Sequence, residues 1–185
     1  GFINSITRNE DQTAFAKYWY EESQFGWNRI ARVIAQQRKT ELFVTARLFA
    51  LMHMAIADSY VAGWDSKLHY NFWRPRTAIR AAANDGNDAT EGDVSWESLE
   101  VNPPIQDYPA THSVLGNAGA TVLALIYGDA TPFTMESPTG APGSAVRSFE
   151  SFSQAANENA DSRVMAGIHF RFSCNAGLEM GEKIG

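Results

Sequence analysis

The sequence predicts an all-α fold, a helical bundle around one core. Apolar residues recur at helical spacing in segment after segment, no stretch of useful length alternates as a half-buried strand does, and no internal repeat divides the chain. A length of 185 residues suits one domain with a sizeable core.

Phe15, Tyr18 and Trp19 mark one face of a first helix over 11–22, and after Gly26 the pattern resumes over 27–37. Thr40 and Glu41 open a third helix through Leu42, Phe43, Ala46, Leu51, Met54 and Ala57, expected to be the central buried one. Gly63, Asp65 and Ser66 are expected to end it, leaving 67–73 as a shaped connector. Pro75 then restarts a short helix, because proline suits a first turn and disfavours helix in the residue before it. Residues 84–109 hold Gly86, Asn87, Gly92, Pro103 and Pro104 without a long period and predict a loop with one turn near 95–99; such loops are commonly functional. Ser113, Val114, Leu115, Ala118, Val122, Leu125 and Ile126 form another apolar helix ending near Gly128. A second loop over 131–143 leads to helices expected over 144–159, 162–172 and 175–183.

Hydrophobic residues at 44% and charged residues at 19% give a packed chain rather than a disordered one. A net charge of -6 and a pI near 5.2 argue against a nucleic-acid or anionic-membrane surface, which needs clustered Lys and Arg. The single Cys174 excludes an internal disulfide and a multi-cysteine metal site. Arg47, His53 and Thr121 break the longest apolar runs, so no membrane span is expected. The chain starts at Gly1 rather than Met and is expected to be a processed or truncated piece. The aromatics Phe15, Trp19, Trp27, Phe43 and Phe49 suit a core or a subunit interface, and a homodimer is expected.

Three segments concentrate basic and histidine residues at helix starts and turns: Lys67 to Pro75, Tyr108 to Ser113, and Ser162 to Phe172. Lys67, Arg74 and Arg163 bring three positive charges into an acidic chain, and His112 and His169 bring groups titrating near neutrality. Arginine's fork grips a tetrahedral oxyanion bidentately and lysine adds a point charge, which suits phosphate or vanadate. His112 lies at the start of an apolar helix, where free N–H groups and the dipole favour an anion. Lys67 and Arg74 would be about 10 Å apart along a helix and roughly 23 Å if extended, so a shared ligand requires a curved path. Arg163 and His169 would be rotated about 120° on a regular helix and share a site only at its edge. Taken alone, each residue has a structural use: His112 as a cap-region side chain, His169 in a core, Lys67, Arg74 and Arg163 as solvated or ion-paired groups. His53 reads as a packed core histidine, and His69 and Arg171 as pocket-wall or structural groups.

The order Lys-x6-Arg-Pro, Pro-x-x-His and Ser-Arg-x5-His, spread over Lys67 to His169, resembles the three-part signature of the vanadium-dependent haloperoxidase and type 2 phosphatidic acid phosphatase superfamily. The resemblance implies a helical bundle of that type, the C-terminal catalytic half of a longer chain, with residues 1–185 as one catalytic domain. It implies vanadate as cofactor, or phosphate in the same site, bound by Lys67, Arg74, Thr111, His112 and Arg163. It makes His169 the vanadium ligand in a haloperoxidase or the nucleophile in a phosphatase, and His112 the general acid-base group. Trp64 and Ile105 are expected on the pocket wall. The implied reaction is oxidation of bromide or chloride by hydrogen peroxide, with an organic acceptor. The alternatives are phosphomonoester hydrolysis through a phosphohistidine, or an inactive oxyanion-binding relative. Relatives of this kind suggest export to the periplasm or the extracellular space. Three positions depart from the pattern. Ala110 stands where the superfamily has serine and Thr111 where it has glycine, the first removing a hydroxyl donor worth about 1.5–3 kcal/mol to a charged group. Ser173 stands where it has aspartate, four residues after the histidine, which counts more against phosphatase chemistry than against metal ligation.

Overall fold

The computed structural model describes residues 1–185. In chain order, α1 spans Glu10–Tyr18, α2 Ser23–Gln37, α3 Leu42–Tyr70, α4 Pro75–Ala81, α5 Thr111–Tyr127, α6 Phe152–Met165 and α7 Arg171–Ile184. Strands β1, Phe133–Glu136, and β2, Val146–Phe149, form the one small sheet. The all-α prediction holds apart from this hairpin, in which Phe133 faces Phe149 and Glu136 faces Val146 in antiparallel register. Phe133, Met135 and Phe149 are buried, so the hairpin closes one end of the core rather than extending into solvent. The helix expected from 144 consequently starts only at Phe152, where the Ser151 hydroxyl accepts the Gln154 N–H as an N-cap.

α5 is the central helix. It packs against α7, α3, α6 and α2, and its Val114, Leu115, Ala118 and Leu123 are all buried. Trp27 of α2, with no solvent exposure, stacks on Trp19 at 6.0 Å between ring centres and anchors the amino-terminal helices to the core. Phe15, Trp19 and Trp27 are therefore core residues of this chain, and Phe43 is exposed on α3. A capping box between Asn9 and Gln12 fixes the start of α1.

α3 departs most from its sequence pattern. It is not the buried centre: Leu48, Met52 and Ile56 face the core, while Leu42, Phe43, Met54, Val61 and Leu68 are exposed. By length and composition alone it could cross a membrane. His53 is exposed too, 2.9 Å from Asn28, and is no core histidine. The helix also runs through Gly63 without a break and ends at Asn71, which takes the left-handed conformation (φ 43°) and closes the last turn by donating to the Lys67 carbonyl. Lys67 thus belongs to a helix, not to a connector. Asn71 supplies the curvature that brings Lys67 and Arg74 together, and Arg74 is the N-cap residue of α4 with Pro75 in its first turn.

Candidate oxyanion site

Arg74, Thr111, His112, Arg163 and His169 line one cavity of about 210 Å³, with Trp64 and Ile105 in its wall as the sequence predicts. Three backbone features place them. α5 starts at Thr111 with no side-chain cap; the Ser113 and Val114 N–H groups bond back to the Ala110 carbonyl, which leaves those of Thr111 and His112, both cavity-lining residues, as the free donors of its first turn. α6 ends at Met165 and Gly167 turns the chain at φ 80°, a left-handed conformation that favours glycine. That turn carries His169 back beside Arg163, so the single helix expected over 162–172 is two helices with a turn between. The 120° separation never arises.

Burial governs the charges. Lys67, Arg74 and Arg163 are each at most 3% exposed, and Asp107 is the one acidic residue in the buried set. Desolvation lowers the Lys67 ammonium to about 7, with Arg74 adding to the effect, and lowers both guanidiniums to about 10. Desolvation raises the Asp107 carboxyl to about 6 against the pull of Ser173, Arg74 and Lys67. Burial also pushes the Cys174 thiol up to about 12, so it stays neutral and cannot serve as the missing counter-charge. Both His112 and His169 are held well below the usual histidine range, first by burial and then by the neighbouring cations. They are neutral rings at pH 7.

The cations are tethered by backbone oxygens. Lys67 Nζ donates to the carbonyls of Gln106, Asp107 and Pro109 at 2.8, 3.0 and 2.6 Å, using all three of its protons outside the cavity lining. Arg74 donates from Nε to Ile105 and from Nη1 to Ile168, and Nη1 lies 3.3 Å from His169 Nε2. Arg163 donates from Nη1 to the Trp19 carbonyl and lies 5.7 Å over the Tyr20 ring, but its buried Nε has no partner, nor does Thr111 Oγ1. His112 Nε2 is 3.0 Å from the Glu21 carbonyl, which can only accept, so Nε2 carries the ring proton and Nδ1 is the free basic nitrogen. His69 and Arg171 lie outside the cavity. His69 is exposed and packs edge-on to Tyr70, and Arg171 pairs with Asp161.

Asp107 escaped the sequence analysis. Its Oδ1 lies 2.9 Å from His169 Nδ1, and its Oδ2 accepts the Ser173 hydroxyl. A lone Asp in a polar stretch before Pro109 gives no signal of burial; the one hint was the missing acid at Ser173.

The orphaned Arg163 Nε and Thr111 hydroxyl, the free Thr111 and His112 N–H groups and an excess of buried positive charge fit a multiply charged tetrahedral anion. The donor set therefore suits vanadate or phosphate, with Lys67 reaching either only by exchanging a carbonyl partner. Comparisons with known proteins agree in kind. Residues 47–185 match the family model described as the VCPO second helical-bundle domain. The chain is 26% identical over 239 residues to the vanadium chloroperoxidase of Curvularia inaequalis, covering 96% of this chain and 39% of that protein. Among solved structures, a bacterial vanadium-dependent iodoperoxidase superposes with a TM-score of 0.81 at 30% identity, over 95% of this chain and 42% of that one. The apo form of a bacterial vanadium-dependent chloroperoxidase also gives a TM-score of 0.81, at 20% identity over 97% and 44% of the two chains, and speaks to the fold alone. The chain spans about two fifths of the length of these relatives. On the match over 47–185 and the superposition, the chain belongs to the vanadium haloperoxidase superfamily, as its second helical bundle.

Proposed function

We propose that this chain carries the vanadate site of a haloperoxidase that oxidises bromide or chloride with hydrogen peroxide and passes the oxidised halogen to an organic acceptor. The observation that carries the proposal is the unbalanced buried charge: Arg74 and Arg163 line the cavity, Lys67 is buried behind it, and Asp107 is the one buried carboxylate among them. Buried cations without counter-charge are costly, and a bound oxyanion removes the cost. Vanadate, when bound, supplies Lewis-acid activation of peroxide toward halide, and phosphate competes for the same donors.

Arg74 and Arg163 would hold the anion's oxygens, the latter through its free Nε, with the Thr111 hydroxyl and the Thr111 and His112 N–H groups at the start of α5. His169 would hold the group through Nε2. His112 holds or releases a proton at Nδ1 and is kept in place by the Glu21 carbonyl. Trp64, Ile105 and Leu115 contribute the apolar part of the cavity wall.

The test is bromination of a dye that depends on peroxide, bromide and orthovanadate, with phosphate as competitor. Turnover that phosphate suppresses is the expected result, and His169→Ala should abolish tight vanadate binding; retained binding and activity in that variant would sink the assignment. Vanadate binding without bromination, together with hydrolysis of an aryl phosphate, would instead favour the phosphatase.

Lys67 gives the site a pH limit. Its folded value near 7 means that the free protein loses this charge as pH rises through neutrality, whereas a bound anion favours the protonated form. Binding above that value must take up a proton, so phosphate affinity should fall roughly tenfold from about pH 8 to about pH 9 by linkage. Calorimetry in two buffers of different ionisation enthalpy checks it. No proton uptake would mean that the lysine stays with its three carbonyls and out of the site's charge.

A further inference from the structure

Directly behind His169 stands a carboxylate that the oxyanion site itself does not use. Asp107 has no solvent exposure, and its loop is tied on several sides. Its N–H donates to the Phe72 carbonyl at 2.9 Å, its carbonyl accepts from Lys67, and the Ala110 N–H donates to the Ser173 carbonyl at 3.0 Å. The Ser173 hydroxyl then holds Oδ2, which leaves Oδ1 facing His169 Nδ1 at 2.9 Å. The two atoms are within hydrogen-bonding distance but off the ideal line, and each is otherwise without a hydrogen-bond partner.

The opposite edge of the ring fixes the proton. Arg74 Nη1 is 3.3 Å from His169 Nε2, and a guanidinium only donates, so Nε2 must present a lone pair. A neutral ring then carries its proton on Nδ1, toward Asp107. A histidine that ligates a metal commonly donates its other N–H to a carboxylate, which sets the tautomer and orientation and raises its basicity.

We propose that Asp107, braced by Ser173, is the positioning residue that holds His169 as the Nδ1–H tautomer with Nε2 aimed into the cavity. This rests on the oxyanion-site proposal for what Nε2 would bind, but not for the tautomer itself. The competing acceptor is the Asp107 backbone carbonyl, which also lies near the ring.

The experiment uses the full chain with 15N-labelled histidine. Nitrogen-detected spectra of the anion-free protein should assign His169 as Nδ1–H, and Asp107→Asn should lose that preference or populate both tautomers. Titration with orthovanadate, and separately with inorganic phosphate, should show Asp107→Asn weakening vanadate roughly 10–100-fold, as loss of an outer-shell partner does. Adding Ser173→Asp to Asp107→Asn moves a carboxylate to the adjacent position and should recover much of the loss. If Asp107→Asn does not fold, Ser173→Ala leaves the carboxylate but frees it, and should give a smaller loss with a mixed tautomer. An Nε2–H ring in the unaltered protein would overturn the proposal. So would a Kd within about twofold and an unchanged tautomer in the variants, which would assign the role to the backbone carbonyl. If the unaltered chain binds neither vanadate nor phosphate, the oxyanion-site proposal fails, and the tautomer spectra still decide the role of Asp107.

Discussion

Arg163→Met is expected to move two measurements in opposite directions: the anion-free chain becomes more stable, and affinity for phosphate or vanadate falls about 100-fold or more. Arg163 is 2% exposed and satisfies one of its donors on the Trp19 carbonyl, while its buried Nε has no partner. A buried donor without a partner costs about 1–3 kcal/mol, and an uncompensated buried charge adds to that. Methionine fills a similar length with an adaptable apolar chain. The gain should be about 1–2 kcal/mol net, since the Trp19 carbonyl loses its donor. The loss is larger, because hydrogen bonds to a charged group are worth about 1.5–3 kcal/mol each and a guanidinium fork makes two. Urea unfolding without ligand and calorimetric titration with phosphate test both halves. If the variant is less stable and binds as well as before, Arg163 is a brace for Trp19 and the buried cations of the cavity are not in costly excess.

That opposition explains why the site was readable from residue types when its shape was not. Lys67, Arg74, Arg163, His112 and His169 are scattered over a hundred positions, and their types and order alone point to an oxyanion. What sequence periodicity cannot supply is where a helix stops. Gly63 looked like a terminator because glycine costs about 1 kcal/mol in a helix interior, yet the packing of Leu48, Met52 and Ile56 outweighs one such cost and carries α3 seven residues further. Lys67 therefore arrives on a rigid helical turn. The apolar period of α3 likewise predicts burial, but periodicity shows that a face is apolar without showing that anything covers it.

The hairpin and Asp107 were hidden for different reasons. Strands of four residues offer only two alternations, and the prolines around β1 already account for the segment as a loop. Asp107 acquires its role only from contacts far away in the chain, with Phe72, Ser173 and His169. No local pattern encodes them. The departure at Ser173 was visible, and the structure turns it from a deletion into a relocation: the serine hydroxyl holds a carboxylate that comes from another loop.

The second large effect concerns the joint between α5 and α7. Alanine is a better helix former than glycine by about 1 kcal/mol, so propensity alone has Gly181→Ala stabilising α7. The geometry reverses the sign. A Cβ at Gly181 would lie 2.3 Å from the Val114 carbonyl oxygen and 2.9 Å from the Ala118 nitrogen, both in the backbone of α5. Backbone cannot swing aside as a side chain can, so the helices must separate, and overpacking of this sort costs about 1–3 kcal/mol or more. Gly177→Ala meets the same obstacle one turn closer to the cavity, with Ser113 Cβ at 2.7 Å and the Ala110 carbonyl at 2.8 Å. Because α5 begins at Thr111 and α7 begins two residues after His169, separation there moves the start of α5 relative to His169. Gly181→Ala should therefore lose stability with a modest change in phosphate affinity, and Gly177→Ala should lose both. Denaturant midpoints and phosphate titrations of the two variants decide it: a Gly181→Ala protein as stable as the parent would mean that α5 and α7 can part at little cost, and that the close approach does not hold the site in shape.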